Sequence, residues 1–317
     1  MKLAEMNYRI AVTGAAGLVG QNLIPRLKAG GFSGIVAIDK HPTNTAVLRR
    51  LHPDIQIIQA DLASDDGWQE AVAACDVVIV CHAQIGGLDP EAFQRNNVTA
   101  TERLLEVVRA APGRPRLVHL SSSVVESAAV DWYTQTKEKQ EQLVVGSGLP
   151  HVVLRPTLMF GWFDRKHLGW LARFMRRTPI FPVPGSGRYL RQPLYAGDFC
   201  DIILSCVQAK PNNAVYNISG QEKIHYVDLI RETRRAVGAR AVIMRIPYFA
   251  FWLLLWTYGL FDRNPPFTTK QLKALVTPDI FEVIDWPGIF GVTPTPLRTA
   301  LEQTFQNPEY SKIELDF

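Results

Sequence analysis

The feature that most narrows the fold is a run near the amino end, Tyr8-Arg-Ile-Ala-Val-Thr-Gly-Ala-Ala-Gly-Leu-Val-Gly20. Ile10 to Val12 are β-forming, glycines follow at 14, 17 and 20, and the apolar spacing then turns helical through Leu18, Leu23 and Leu27. That is a strand, a tight turn and a helix start. Glycine suits such a turn because a Cβ would collide where the chain reverses, where a phosphate approaches the amides and where the helix meets the sheet. The helix N-terminus then faces the anionic charge. A second strand, Ile35 to Ile38, ends in Asp39, about 20 residues beyond the last glycine, where a carboxylate can take both ribose hydroxyls of a dinucleotide. The amino end therefore reads as a nicotinamide dinucleotide site made by Gly14, Ala16, Gly17, Leu18, Val19 and Asp39. The acid favours NAD over NADP, because a carboxylate repels a 2′-phosphate.

With 317 residues, 47% of them hydrophobic and 20% charged, and with no repeat or low-complexity run, the chain suits a large globular unit with a sizeable core. Its 34 basic and 30 acidic residues leave a net charge of +4, too mild to argue for nucleic acid yet suited to a phosphorylated small substrate. The four cysteines, Cys75, Cys81, Cys200 and Cys206, have neither metal-ligand spacing nor the pattern of a secreted disulfide framework. They read as reduced thiols of a cytoplasmic protein that needs no metal. The first seven residues show no apolar signal region, which agrees with a chain that stays where it is made.

Beyond Asp39 a polar loop and a short helix lead to a third strand, Ile55 to Ile58, which ends at Ala60-Asp61-Leu62, where the acid can reach an adenine edge. A helix from about Trp68 to Ala74 precedes Asp76-Val-Val-Ile-Val-Cys81, a continuous apolar run of the kind that a parallel strand covered on both faces shows. The loop His82-Ala-Gln-Ile-Gly-Gly87 follows, then a long amphipathic helix from Pro90 to Arg109 that carries Asn97, then a fifth strand, Arg116 to Leu120. This alternation predicts an α/β fold, a Rossmann-type doubly wound parallel sheet whose ligands lie at the carboxyl edge. Residues 1–155 are expected to form the dinucleotide-binding domain, with a later strand returning to it, and 156–317 mainly a smaller substrate-binding part.

The fifth strand runs into Ser121-Ser122-Ser123, and Tyr133-Thr-Gln-Thr-Lys137 opens a helix soon after. Spacing of i, i+4 puts the phenol and the ammonium on one face. An ammonium beside a phenol lowers its pKa from about 10, so that the phenolate can take a proton from a substrate hydroxyl. A serine hydroxyl can hold the same oxygen.

With these residues in this order, the chain resembles the extended short-chain dehydrogenase/reductases, whose members include nucleotide-sugar epimerases. The resemblance covers roughly residues 8–207 and rests on Thr13-Gly-Ala-Ala-Gly-Leu-Val-Gly20, Asp61-Leu62, His82-Ala83, Asn97-Val-Thr-Ala-Thr101, Ser121-Ser-Ser123, Tyr133 to Lys137 and Leu154-Arg-Pro156. It implies Tyr133 as the catalytic acid/base, Lys137 as its partner and a contact to the nicotinamide ribose, and Ser122 as the catalytic serine, with Ser123 beside it toward substrate. It also implies that Asp61, Leu62, His82, Ala83, Tyr133, Lys137 and Arg155 line the cofactor, and that Asn97 braces the long helix. The interval from the serines to Tyr133 is much shorter than the family's usual spacing, so a substrate-side loop is missing. The loop after the fourth strand also lacks the second alanine that the family usually has. Ser123 and Val124 stand where dehydratases of the family place an Asp-Glu pair, so the resemblance implies an NAD(P)-dependent epimerase or ketoreductase acting on a hydroxyl or ketone of a nucleotide sugar.

After a sixth strand, Pro150 to Leu154, Arg173, Arg176 and Arg177 share a helix, and Pro179 to Gly187 reads as a Pro/Gly loop. The segment Arg191-Gln-Pro-Leu-Tyr-Ala-Gly-Asp198 resembles the epimerase segment in which an arginine grips a nucleotide-sugar pyrophosphate; this makes Arg191 the expected substrate-binding fork and Asp198 a structural acid. Ile246 to Phe261 carries no charge over sixteen residues, short of the ~20 needed to span a bilayer. It reads either as a buried or dimer-forming helix, in keeping with an expected homodimer, or as a peripheral contact with the inner membrane surface. Two other classes stay open. One is a hydroxysteroid-dehydrogenase-like enzyme for an apolar alcohol, whose pocket this aromatic stretch could line; the other is a non-catalytic dinucleotide-binding subunit.

Overall fold

Short β-branched runs alternate with helices through the first half of the chain, and each run becomes a parallel strand. The computed structural model describes residues 8–127, 131–210, 212–261, 272, 275–277 and 281–316. In it β1 (Arg9–Thr13), β2 (Gly34–Asp39), β3 (Gln56–Gln59), β4 (Val77–Val80), β5 (Arg116–Leu120) and β6 (His151–Pro156) stand in the spatial order 3-2-1-4-5-6. They are linked by α1 (Leu18–Ala29), α2 (Pro42–Leu51), α3 (Gln69–Ala73), α4 (Pro90–Phe93), α5 (Ala100–Ala110) and α6 (Trp132–Val145). Between α4 and α5 the chain makes a π-helical turn, Gln94–Thr99. Next come β7 (Met159–Phe160), α7 (Leu168–Arg177), β8 (Ile180–Pro184), β9 (Leu190–Arg191), β10 (Leu194–Tyr195), α8 (Ala196–Gln208) and β11 (Val215–Ile218). β11 pairs in parallel with β6 and is the seventh strand of the sheet.

Successive side chains of a strand point to opposite faces, and here both faces are buried. Ile10, Val12, Val77 and Ile79 pack with Leu23, Leu27, Phe199 and Ile203 of α1 and α8. Ala11, Val78 and Val80 pack on the other side with Leu104, Val108 and Val144 of α5 and α6. Double cover is the reason β4 reads as an unbroken apolar run.

Among the described residues there follow β12 (Ile224–His225), α9 (Tyr226–Val237), β13 (Val242–Ile246), α10 (Tyr248–Phe261) and two closing helices, Trp286–Phe290 and Leu297–Gln306. The stretch 179–187, expected as a loop, is mostly strand: β8 pairs in parallel with β13, with Phe181 and Val183 buried. Its prolines are tolerated because the sheet has two strands and each is an edge. Only the end turns, with Gly185 and Gly187 at φ +61° and +68°. Asp198 is buried and accepts hydrogen bonds from the amide (3.0 Å) and hydroxyl (2.5 Å) of Thr295, which ties α8 to the closing segment. α10 begins two residues after β13 and carries no charge.

Candidate active site

The chain leaves β1 for β2 on one side and later returns to β4 on the other, so the crossover direction reverses beside β1, and a crevice opens at the carboxyl ends of β1 and β4. The register sets Thr13 level with Ile38 and Val80, and Val80 level with His119, so the ends of β1, β2, β4 and β5 face one edge. Gly14 holds φ +64°, and a Cβ there would sit 2.7 Å from the Cα of His82. The first loop therefore lies directly on the loop after β4. Gly17 caps α1 with no side chain, and the first turn holds no acid, so the amides of Leu18 and Val19 offer an uncontested positive helix end. Asp39 accepts hydrogen bonds from the amides of Ala16 (3.0 Å) and His41 (2.9 Å). Burial raises its pKa against the pull of these amides, and each oxygen still has a lone pair for a ribose hydroxyl. A glycine-tight turn, an uncapped helix and a strand-end acid fit the shape and charge of a dinucleotide.

Asp61 would also be raised by burial, but the Ala63 amide, Lys40 and Arg95 hold its pKa lowered. Arg95 reaches it at 3.1 Å and braces the turn that carries Leu62. His82 is placed differently from a simple cofactor contact. Its ring bonds Thr13 Oγ1 (2.8 Å) and Thr101 Oγ1 (3.0 Å), and Gln140 Nε2 lies 3.3 Å away. Burial and the nearby Lys137 push its pKa down to about 3, so the ring is neutral. The His82 carbonyl also accepts from Gln140 Nε2 (3.2 Å), which fixes the loop's backbone as well as its ring.

Asn97 lies within the π-helical turn. Its side chain accepts from the Gln84 amide (2.6 Å) and donates to Thr136 Oγ1 (2.9 Å), joining the loop after β4 to α6. One residue more per turn is a common device for re-aiming a side chain at functional sites.

Tyr133 is set by a cap. Asp131 accepts from the Thr134 amide at 2.8 Å and fixes where α6 begins, which puts Tyr133 and Lys137 on one face. Lys137, only 1% exposed, donates to the carbonyl of Leu120 (2.8 Å) and to Gln140 Oε1 (2.5 Å). The first bond clamps α6 to the last residue of β5, whose continuation carries Ser122. The Ser122 hydroxyl lies near enough to the Tyr133 phenol to hold its pKa down. Ser123 starts a 3₁₀ turn, Ser123–Glu126, and lies next to them; part of the short interval before Tyr133 falls at 128–130, outside the described residues. The expected lowering of the phenol by the ammonium is not what the structure gives. Burial raises the Tyr133 pKa, the Ser122 hydroxyl opposes this, and burial also lowers Lys137 to about 7, because its ammonium has left water.

Two arginines expected at ligands have protein partners in this structure. Arg155 is ion-paired with Glu141 (2.5 Å) and with Glu126, so its side chain braces the turn after Ser122 against α6. Arg191 donates to the carbonyls of Leu190 (2.8 Å), Thr277 (2.8 Å) and Leu275, and its guanidinium lies 5.1 Å from the Tyr189 ring. Gln140, by contrast, was missed. Its signal was its position three residues beyond Lys137, on the same helical face. Among the described residues no group of His, Cys, Asp or Glu could hold a metal ion, and the four cysteines are free thiols.

The sequence model of the NAD dependent epimerase/dehydratase family matches residues 10–219. The chain is 28% identical over 264 residues to 4-hydroxy-2-methyl-3-oxo-4-farnesyl-3,4-dihydroquinoline-1-oxide ketoreductase of Stigmatella aurantiaca, covering 76% of this chain and 77% of that protein. It is 27% identical to 3 beta-hydroxysteroid dehydrogenase/Delta 5-->4-isomerase of Mycobacterium tuberculosis, covering 75% and 72%. Among solved structures, UDP-glucuronic acid 4-epimerase from Bacillus cereus in complex with NAD superposes with a TM-score of 0.70 at 21% identity, covering 94% of this chain and 97% of that one.

Proposed function

This chain belongs to the NAD dependent epimerase/dehydratase family, and we propose that within it the chain is an NAD-dependent oxidoreductase acting at a carbinol or ketone carbon. The observation that carries this reading is the bond from buried Lys137 to the carbonyl of Leu120 (2.8 Å), which holds Tyr133, one helical turn away, against the end of β5 where Ser122 follows. NAD supplies the hydride donor or acceptor when bound. The chain's own residues do the rest. Tyr133 passes a proton between its phenol and the substrate oxygen, Ser122 holds that oxygen, and Lys137 fixes α6 so that the two hydroxyls converge. The first turn of α1, with Gly14 and Gly17, receives the pyrophosphate, and Asp39 the adenosine ribose.

For the substrate, the arrangement of Arg191 favours an apolar alcohol or ketone over a nucleotide sugar. Its guanidinium is directed to backbone carbonyls, and a pyrophosphate would have to displace them. The ketoreductase and hydroxysteroid dehydrogenase relatives support the same class. A nucleotide sugar is the second reading, supported by the likeness to the UDP-glucuronic acid epimerase over nearly the whole chain. A thermal-shift screen in the presence of NAD separates them, since a ligand at 100 times its Kd stabilises by about 2.7 kcal/mol. Sterols or prenylated ketones should raise the midpoint and UDP-sugars should leave it unchanged. The opposite result replaces the substrate class.

A further inference from the structure

Charge is unevenly placed along this chain. Residues 165–197 and 233–261 contain eleven lysines or arginines and no acid, which leaves the other 23 basic residues against all 30 acidic ones. The fold brings these two stretches together, because β8 lies in the first, β13 in the second, and the two strands pair. Arg176 and Arg177 enter β8 through Thr178 and Pro179, and Arg240 enters β13 through Ala241. Arg176, Arg177, Arg240 and Arg245 form no ion pair among the described residues. Arg231 and Arg235 do have acidic neighbours, Asp228 and Glu232. Beside them a cavity of about 740 Å³ is lined by Arg231, Arg234, Arg235, Arg240, Val242 and Ile243.

An apolar surface borders this charge. Ile180 of β8 and its register partner Val242 of β13 are both exposed, as is Met244 two residues further along. β13 then leads into α10, where Phe249 is 71% and Leu254 59% exposed, and where Leu253 and Trp256 share the exposed face of Phe249. No described helix is long and apolar enough to cross a membrane. Large aromatic and aliphatic side chains next to unpaired arginines match an interface that is apolar at one depth and anionic at another.

We propose that β8, β13 and α10 form a docking surface for an anionic lipid bilayer, with α10 lying in the plane of the interface and the arginine-lined cavity receiving a lipid phosphate. A second copy of this chain is the less suitable occupant. A two-fold contact through this face would set the same arginines against themselves, with no acid in either stretch to offset them. The proposal uses none of Ser122, Tyr133 and Lys137, so it stands or falls independently of the reaction and substrate assigned above.

The test is co-sedimentation of the full chain with vesicles of phosphatidylglycerol and phosphatidylcholine in equal parts, beside vesicles of phosphatidylcholine alone. The wild-type chain should bind the anionic vesicles at least ~10-fold more tightly, since each basic residue near an anionic surface contributes. Phe249→Asp with Leu254→Asp should weaken that binding at least ~10-fold with an unchanged melting midpoint, because both side chains already face solvent. Arg240→Glu with Arg245→Glu should remove the preference for anionic lipid. No binding by the wild-type chain would overturn the proposal, and so would undiminished binding by the Phe249/Leu254 variant. A protein mass that doubles with concentration and returns to that of a monomer on Phe249→Asp would assign the face to a second copy instead.

Discussion

β4 and α10 are both apolar and free of charge, yet they meet opposite fates. All four residues of β4, Val77 to Val80, are fully buried, whereas Phe249, Leu253, Leu254 and Trp256 of α10 face outward. The difference lies in the neighbours. β4 stands between β1 and β5 with helices on both faces, while α10 follows a sheet of only two strands. Hydrophobicity says that a surface gains by being covered, at roughly 1.5–3 kcal/mol for each large side chain. Topology decides whether the chain's own elements do the covering. Where they do not, the exposed surface points to something outside the chain.

Substitutions can break that contrast, and the largest effect belongs to the covered segment. Val78→Asp would bury an unpaired carboxylate and should cost more than about 4 kcal/mol or prevent folding, as read by denaturant unfolding. Gln140→Met should cost roughly 1–3 kcal/mol, because Lys137, Thr101 and His82 would lose a shared partner inside the same half. Leu254→Asp should change stability by no more than about 0.5 kcal/mol, since the side chain is already in water. A large cost at Leu254 would mean that α10 is packed in the folded chain and would remove the contrast.

A pH series sharpens the same contrast, because the covered half holds a lysine that the solvent cannot reach. With Lys137 lowered to about 7 in the folded chain and near 10.4 when unfolded, the unfolded chain binds more protons between those values, and stability gains as pH rises across that window. The stability of the wild-type chain relative to Lys137→Met should therefore rise from pH 7 to pH 9.5. A flat difference would show that Lys137 is solvated. The oxidation rate should also increase with pH, because Tyr133 must lose its proton. Ser122→Ala should move that profile further to the alkaline side, since it removes the hydroxyl that opposes the raised pKa.

The doubly wound sheet was legible because its signals are local. The glycine turn, the strand-end Asp39 and the apolar run of β4 each state their environment within a few residues. The placing of Ser122 after β5 and of Tyr133 and Lys137 at the start of α6 was legible for a related reason, since helical spacing aligns two of them and the strand end supplies the third. The partners of Arg155 and Arg191 were not legible. A guanidinium reads the same in sequence whether it meets a phosphate, Glu141 or a backbone carbonyl, and its partners here lie in distant segments. The prolines at 182 and 184 concealed β8 for a similar reason: only the distant partner strand, β13, shows that they sit at an edge.

The account places cofactor and chemistry in the sheet half, with Tyr133 as the proton-carrying group, and the most direct measurement separates binding from turnover at that residue. NAD should be titrated by calorimetry into wild-type chain and Tyr133→Phe, and nicotinamide absorbance then followed with the ligand that the screen identifies. The account predicts equal NAD affinity and a rate lowered by about 10²–10⁴-fold in the variant. Turnover by Tyr133→Phe near the wild-type rate would contradict it, as would a wild-type chain that fails to bind NAD.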